Sequence, residues 1–356
     1  MSRSTLLLLV LGFFLAACDD EPSQPLPDTT ELEVSTDSLD QDVVPDTELD
    51  LEELDLTELE LPPDELDQPE VDEFESSPDL VDLDEEEEEE EIEEPVYESP
   101  LRIRIMAANT TSGNYQSYDP GHGMRMFQGL KPDIVLIQEF NYNNDTPADI
   151  RGMVDAGFGP IFRYRRGRGS IPNGIISRFP IIESGYWTSP ETSNRDFDWA
   201  IIDIPGERDL LAVSVHLHTD AHNREMDDLA DDIRNKTANR DLYIVLGGDF
   251  NTSSRSSAEN QFQSLLQVGD PYPADEDGVE GTNASRSSPY DWVLVDEDLA
   301  ELEVPVAIGS KEFPHGLVFD SRVYTPLSDV HPVQEDDSDA PFMQHMPVLR
   351  DFILTF

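Results

Sequence analysis

The chain has 356 residues, with 78 Asp and Glu against 22 Lys and Arg, a formal net charge of −56 and one cysteine. That balance argues against a protein that grips long nucleic acid through a basic face, and a single cysteine excludes an internal disulfide framework. The acidity is uneven, because 37 of the acidic residues lie between 19 and 99, where there is no Lys or Arg. From Leu101 onward 41 acids face 21 basic residues, so that part sits near −20.

Residues 1–18, MSRSTLLLLVLGFFLAAC, combine one early Arg3, an apolar run from Leu6 to Leu15 and small residues before Cys18. This reads as a secretory signal, too short and one-sided for a spanning helix. Its close, Leu15-Ala16-Ala17-Cys18, resembles a bacterial lipoprotein box, in which Cys18 becomes the lipidated first residue; an ordinary signal peptide containing a Cys is the plainer alternative. The expectation is an exported protein, anchored to a bacterial membrane through Cys18, at the periplasmic face or the cell surface. Residues 19–99 are acidic low complexity with recurrent Pro and few apolar side chains, ending in the run Glu85 to Glu91. Such a segment cannot bury enough apolar surface to offset its ordering entropy, and it reads as a disordered, solvated tether.

Residues 100–356 are long enough for one domain with a large core. The alternating LRIRIMAAN predicts a strand ending at Asn109, and residues 120–130 a helix over Met124, Phe127 and Leu130, stopped by Pro132. DIVLIQEF (Asp133 to Phe140) predicts a central strand with Glu139 at its exit. Strands are expected over Gly174–Ser177, Ile181–Trp187, Phe197–Ile204 and Asp209–Thr219, then a polar-faced helix from Asn223 to Asn239. LYIVLGGDFNTSS opens as a buried strand at Leu242, and strand parity would project Asp249 and Asn251 together while Phe250 returns to the core. After a loop-rich stretch, PYDWVLV (Pro289 to Val295) and FMQHMPVLRDFIL (from Phe342) are the last strands. Many strands with intervening helices predict an α/β class with two packed sheets and helices outside.

Five strand exits thus carry Asn109, Glu139, His216, Asp249 with Asn251, and Asp291, and His345 lies on the last strand. Singly, each has an ordinary explanation as a turn residue, a solvated carboxylate or a core histidine. Together they supply what metal-assisted attack on phosphorus needs: oxygen ligands for a hard cation, a carboxylate to orient water, and an imidazole backed by a second carboxylate. The dense basic cluster RYRRGRG, with Arg163, Arg165, Arg166 and Arg168, is a candidate anion dock.

In order, MAANT, IVLIQEF, NGIISRFPI, VSVHLHT, GGDFNT, YDWVLV and QHMPVLRDF resemble the motifs of the endonuclease/exonuclease/phosphatase superfamily, which includes pancreatic DNase, exonuclease III and neutral sphingomyelinases. The resemblance spans essentially the whole of 101–356, and GGDFN and the IQE strand are its specific parts. It implies a two-sheet, four-layered α/β sandwich with the site at one rim, and a Mg²⁺-dependent (or Mn²⁺-dependent) phosphoesterase acting on nucleic acid, phospholipid or a small molecule; no protein partner is expected. It implies Glu139 as principal metal ligand with Asn109 beside it, Asp249 activating water, Asn251 binding the scissile phosphate, and Asp291 orienting His345. His216 would contact phosphate, with His218 the alternative; apart from the resemblance, the arginine cluster itself offers Arg165 and Arg166 as substrate-binding residues. Arg178, in the S-R-x-P turn, is expected to be structural.

The chain departs from the family at its last motif, where the usual Ser-Asp-His reads Met343-Gln344-His345. A near miss, Ser328-Asp329-Val330-His331, lies upstream, and Asp339 is a candidate to replace the lost charge. Neutral Gln344 motivates a competing reading: a catalytically weakened surface binding protein on the same scaffold.

Overall fold

The structure, a computed structural model, describes residues 96–113 and 116–356. The signal segment with Cys18, and the acidic tether as far as residue 95, lie outside the described residues. Elements run in the order β1 (Leu101–Ala108), α1 (His122–Leu130), β2 (Ile134–Ile137), α2 (Pro147–Phe158), β3 (Arg163–Arg166), β4 (Gly174–Ser177), β5 (Ile181–Trp187) and β6 (Phe197–Ile202). There follow β7 (Asp209–His216), α3 (His222–Thr237), β8 (Leu242–Asp249), α4 (Arg255–Phe262), β9 (Asp291–Val295), α5 (Glu297–Ala300), short strands β10 (Glu303–Val304), β11 (Val306–Ile308), β12 (Lys311–Phe313) and β13 (Leu317–Val318), and finally β14 (Val348–Leu354).

Two mixed sheets result. The first has the order β10-β14-β1-β2-β4-β3, with β13 also on β14; the second is β5-β6-β7-β8-β9. In each, one parallel pair sits among antiparallel neighbours: β1 with β2, and β7 with β8. Period-two alternation sorts the side chains into layers. On β7, Leu211, Val213 and Val215 join Met226, Leu229 and Ile233 of α3 in an outer core. Leu210 and Ala212 turn inward to pack with the first sheet, whose far side is covered by α1 and α2 through Phe127, Leu130, Met153 and Val154. The layers are therefore helix, sheet, sheet, helix.

Several expected elements are corrected, β6, β7 and β9 being a few residues shorter than predicted. The strand expected from Asp133 is only Ile134–Ile137, and the one expected from Phe342 begins at Val348. α4 occupies the stretch read as loop. The cluster RYRR is strand β3, paired with β4. Helix α2 was not predicted, although Thr146 and Asp149 form a reciprocal capping box around Pro147, a start signal visible in TPAD.

One ion pair joins the sheets. Arg165 Nε on β3 donates to Asp198 Oδ1 on β6 at 3.1 Å, and Asp198 is fully buried. Burial pushes the Asp198 carboxyl up to about 7, with Arg165 pulling the other way. Since this lies above the unfolded value, the folded protein holds a proton that the unfolded chain releases between about pH 4 and 7. Rising pH across that window should therefore cost stability, by no more than ~4 kcal/mol from this group. Urea midpoints at pH 5 and pH 8 should show Asp198→Asn gaining on wild type at the higher pH; a constant difference between the two proteins rejects the assignment.

Candidate active site

The site forms where β1, β2, β7 and β8 end and β9 begins, and it is built around Asp249. Strand β8 stops there because Asn251 takes a left-handed backbone, φ 49°. Parity is lost at that point, so Asp249 and Asn251 do not simply share a strand face. Instead Asn251 N donates to Asp249 Oδ1 at 2.8 Å in an Asx-type turn, and Asn251 Nδ2 donates to Leu217 O at 2.8 Å. Phe250 returns to the core as expected, fully buried on the outer side of the second sheet, and stacks on Trp292, ring centroids 4.6 Å apart. The other Asp249 oxygen, Oδ2, accepts from Asn109 Nδ2 at 3.0 Å.

Glu139 reaches the rim through a second left-handed residue: its own φ is 50°, an uncommon conformation for a non-glycine. Its side chain is buried, and Oε2 accepts from Thr111 Oγ1 and Gln344 Nε2, both at 3.1 Å. Burial pushes its pKa up, and the nearby Asp249 charge adds to this.

The two histidines sit on either side of Asp249. His216 Nε2 lies 3.4 Å from Asp249 Oδ2, and its Nδ1 lies 3.8 Å from Glu139 Oε1. Burial drives its pKa down to about 3, against the pull of Asp249, so the ring is neutral at neutral pH. His345 Nε2 also lies 3.4 Å from Asp249 Oδ2, while Nδ1 is 2.6 Å from Asp291 Oδ2. Burial opposes charge here too, but Asp291, Asp249 and Glu139 outweigh it and hold the pKa at about 10. His345 is thus an imidazolium bracketed by carboxylates.

Three side chains missed by sequence reasoning complete the rim. Thr282 Oγ1 donates to Asp291 Oδ2 at 2.6 Å and accepts from Tyr290 N and Asp291 N, both at 2.9 Å. Thr111 is the hydroxyl on Glu139. Arg195 is buried; it donates to His216 O (2.5 Å) and Leu217 O (3.0 Å), and no carboxylate among the described residues lies within ion-pair distance of it. The one available hint for Arg195 was its isolation as the only basic residue between Arg178 and Arg208.

Other expectations fall outside the cluster. Arg165 is spent on Asp198, while Arg166 donates to Phe140 O at 2.6 Å and pairs with Asp145 at 3.1 Å, bracing the turn beside Glu139 rather than forming an open dock. His218 leaves the strand: its backbone N donates to Glu225 Oε2 and its ring Nδ1 accepts from Asp220 N, so of the two histidines His216 is the one beside Asp249. Asp329 and His331 are exposed around a 3₁₀ turn, and Asp339 pairs with Arg322 at 3.3 Å, so neither replaces the missing acid of the last motif. Arg178 pairs with Asp133 at 3.1 Å.

The donor set fits a hard divalent cation. Asn109 Oδ1 and Asp291 Oδ1 are buried oxygens with no hydrogen-bond partner, which is costly unless something else satisfies them. Asp249 and Asp291 also present carboxylate oxygens within 4.8 Å of each other, while the protonated His345 ring between them is not itself a ligand. Oxygen donors predominate, as Mg²⁺ or Mn²⁺ requires.

The sequence profile of the Endonuclease/Exonuclease/phosphatase family matches residues 116–313. Similar solved structures include a family protein from Bacteroides thetaiotaomicron, at 15% identity over 72% of this chain and 96% of the other, TM-score 0.46. A mannosyl-6-phosphatase from the same organism matches at 16% identity over 71% and 99%, TM-score 0.45. The 3′ phosphatase NExo from Neisseria, bound to a product DNA hairpin, matches at 14% over 70% and 99%, TM-score 0.46. No curated protein matches the sequence.

Thr282→Val should destabilise the protein by about 1–3 kcal/mol, because it removes a hydrogen-bond acceptor of the Tyr290 and Asp291 N–H groups and one of the two donors to Asp291 Oδ2, whereas Thr282→Ser keeps the hydroxyl and most of the stability. Denaturant unfolding of both variants decides the point; equal losses would mean that the methyl rather than the hydroxyl matters.

Proposed function

Because the chain belongs to the endonuclease/exonuclease/phosphatase family, whose members are generally phosphoester hydrolases, we propose that it is an exported, lipid-anchored, Mg²⁺-dependent phosphoesterase that cleaves a phosphate ester by direct attack of water. Supporting the reading is one observation: Asn109, Glu139, His216, Asp249, Asp291 and His345, far apart in sequence, meet around Asp249 with two buried oxygens unpartnered.

Glu139 and Asn109 are the residues that would hold the cation, and when bound it would neutralise charge on the phosphoryl oxygens and ease departure of the leaving oxygen. Asp249 is a carboxylate placed to orient water and take its proton, its position set by Asn109 and the Asn251 N–H. His345, charged and backed by Asp291, donates from Nε2 toward charge developing on the phosphoryl group. His216 is neutral and adds no repulsion against that donor. Asn251 lies beside the carboxylate that orients the attacking water, and Arg195 places a buried positive charge behind His216, which suits an anionic substrate.

On substrate class, the domain's acidity and the internal pairing of Arg165, Arg166 and Arg168 favour a small or singly docked phosphate ester over a tight grip on polymer. Cys18, by its place in the lipoprotein-like box, is the proposed anchor to the membrane. The competing reading, a binding protein with weakened chemistry, rests on Gln344 alone.

Glu139→Gln and Asp249→Asn are each expected to lower turnover of bis-p-nitrophenyl phosphate by at least ~10²-fold in Mg²⁺. EDTA should abolish the wild-type rate and added Mg²⁺ restore it. Variants as active as wild type would refute the assignment, and running DNA, RNA, phospholipids and inositol phosphates through the same assay would define the substrate. Cys18→Ala should move the protein from the membrane pellet to the soluble fraction of the producing cell; an unchanged pellet fraction would refute the anchor.

A further inference from the structure

Gln344 is more than a missing charge. Its backbone is pinned, with Gln344 O accepting from Ala284 N at 2.8 Å and the following residue, His345, bridged to Asn283. From there the side chain reaches Glu139, and Nε2 lies 3.1 Å from Glu139 Oε2 and 3.2 Å from Thr111 Oγ1. Thr111 Oγ1 donates to the same Oε2 at 3.1 Å. The amide orientation follows from the chemistry: turned over, its oxygen would face a carboxylate oxygen, and the Thr111 lone pair would lose its donor. Residues 111, 139 and 344 therefore close a triangle in which two neutral donors satisfy one oxygen of a buried carboxylate. That oxygen belongs to the residue expected to bind the cation, while Asn109 Oδ1 nearby is left without a partner.

We propose that Gln344 is an amide latch on the cation site: its Nε2 stands in for the ion at Glu139 Oε2 and has to be displaced when a divalent cation takes that oxygen. The proposal rests on the cation-dependent reading above and deepens it. An acid at position 344 would add a ligand and repel Glu139 in the empty site. The amide does the reverse, stabilising the empty site and opposing the filled one. Cation affinity is then set by competition with one hydrogen bond to a charged group, and it becomes adjustable at a residue that is not itself a ligand.

The test is Mg²⁺ and Mn²⁺ binding by calorimetry, with metal-free melting temperatures, on wild type, Gln344→Met and Gln344→Glu. Gln344→Met keeps the length and removes the donor, so binding should tighten by roughly tenfold, the size of one hydrogen bond to a charged group, while the metal-free melting temperature falls. Gln344→Glu should bind at least as tightly as Gln344→Met and melt lower without metal. Weaker binding by Gln344→Met would overturn the latch, since it would make the Gln344 oxygen a ligand. Unchanged affinity would also overturn it and leave Gln344 a bystander. Should Gln344→Met not fold, Gln344→Glu decides alone, and binding no tighter than wild type rejects the proposal. A folded wild type and Gln344→Glu that both bind no cation would instead remove the metal-dependent reading, and the latch with it; failure of the latch alone leaves wild-type binding intact.

Discussion

The hydrogen bond from Asn109 Nδ2 to Asp249 Oδ2 joins the end of the first sheet to the end of the second, and the site exists only where the sheets come close enough to make it. The approach is set by two glycines. A Cβ on Gly247 would stand 2.7 Å from Leu136 Cδ1 and 2.8 Å from Trp292 O, closer than real contacts allow. Gly248 has φ 138° and would place a Cβ 2.6 Å from Gln138 Nε2, just beyond β2 of the first sheet, and 2.0 Å from Val215 O of its own sheet. Side chains there would wedge the sheets apart and break the register that sets His216 beside Asp249 and Asp249 beside Asp291. Just below, Gln138 Nε2 donates to Ser214 Oγ, and Ser214 Oγ donates to Ile137 O, so the gap is bridged by satisfied polar groups rather than left as a void.

Within that narrow rim, environment divides the work between two chemically identical rings. His216 lies 3.4 Å from the shared Asp249 and 3.8 Å from Glu139, with a buried arginine behind it and no carboxylate of its own at hydrogen-bond distance, and burial keeps it neutral. His345 has Asp291 at hydrogen-bond distance as well as Asp249, and it stays charged despite similar burial. The difference of one dedicated carboxylate decides the protonation state, as expected where Coulomb attraction in a dry site competes with desolvation. Thr282 extends this arrangement outward by fixing the oxygen of Asp291 that meets the ring.

Much of this was legible in the sequence because strand exits obey period-two logic. Asn109, His216 and Asp249 stand at the exits of apolar strands, and Asp291, expected at an exit, opens its strand instead and meets them because β9 runs antiparallel to β8. The alternation failed where the backbone turns left-handed: Glu139 and Asn251 arrive by φ of 50° and 49°, which no hydrophobic pattern reports. Distant hydrogen-bond partners were equally invisible. Thr111, Thr282 and Arg195 are ordinary loop residues until the fold brings a carboxylate or a carbonyl to them. The basic cluster misled for a related reason, since a run of arginines on paper does not show that Asp198, Asp145 and Asp196 are waiting across the fold.

That pairing of arginines bears on how an anion would be held. In a domain near −20 overall, long-range potential repels a polyanion unless cations are concentrated and free. Here Arg165, Arg166 and Arg168 each answer an aspartate, and their positive charge is cancelled within a few ångströms. Arg195 differs in kind. Its guanidinium is held by backbone carbonyls and the Asn194 side chain, so its charge is fixed in place yet not neutralised by an adjacent acid. Together with the His345 imidazolium it makes two positive charges around Asp249, and both act at short range, where salt screens least. A site of this kind draws a phosphate by local complementarity after contact rather than by steering from a distance.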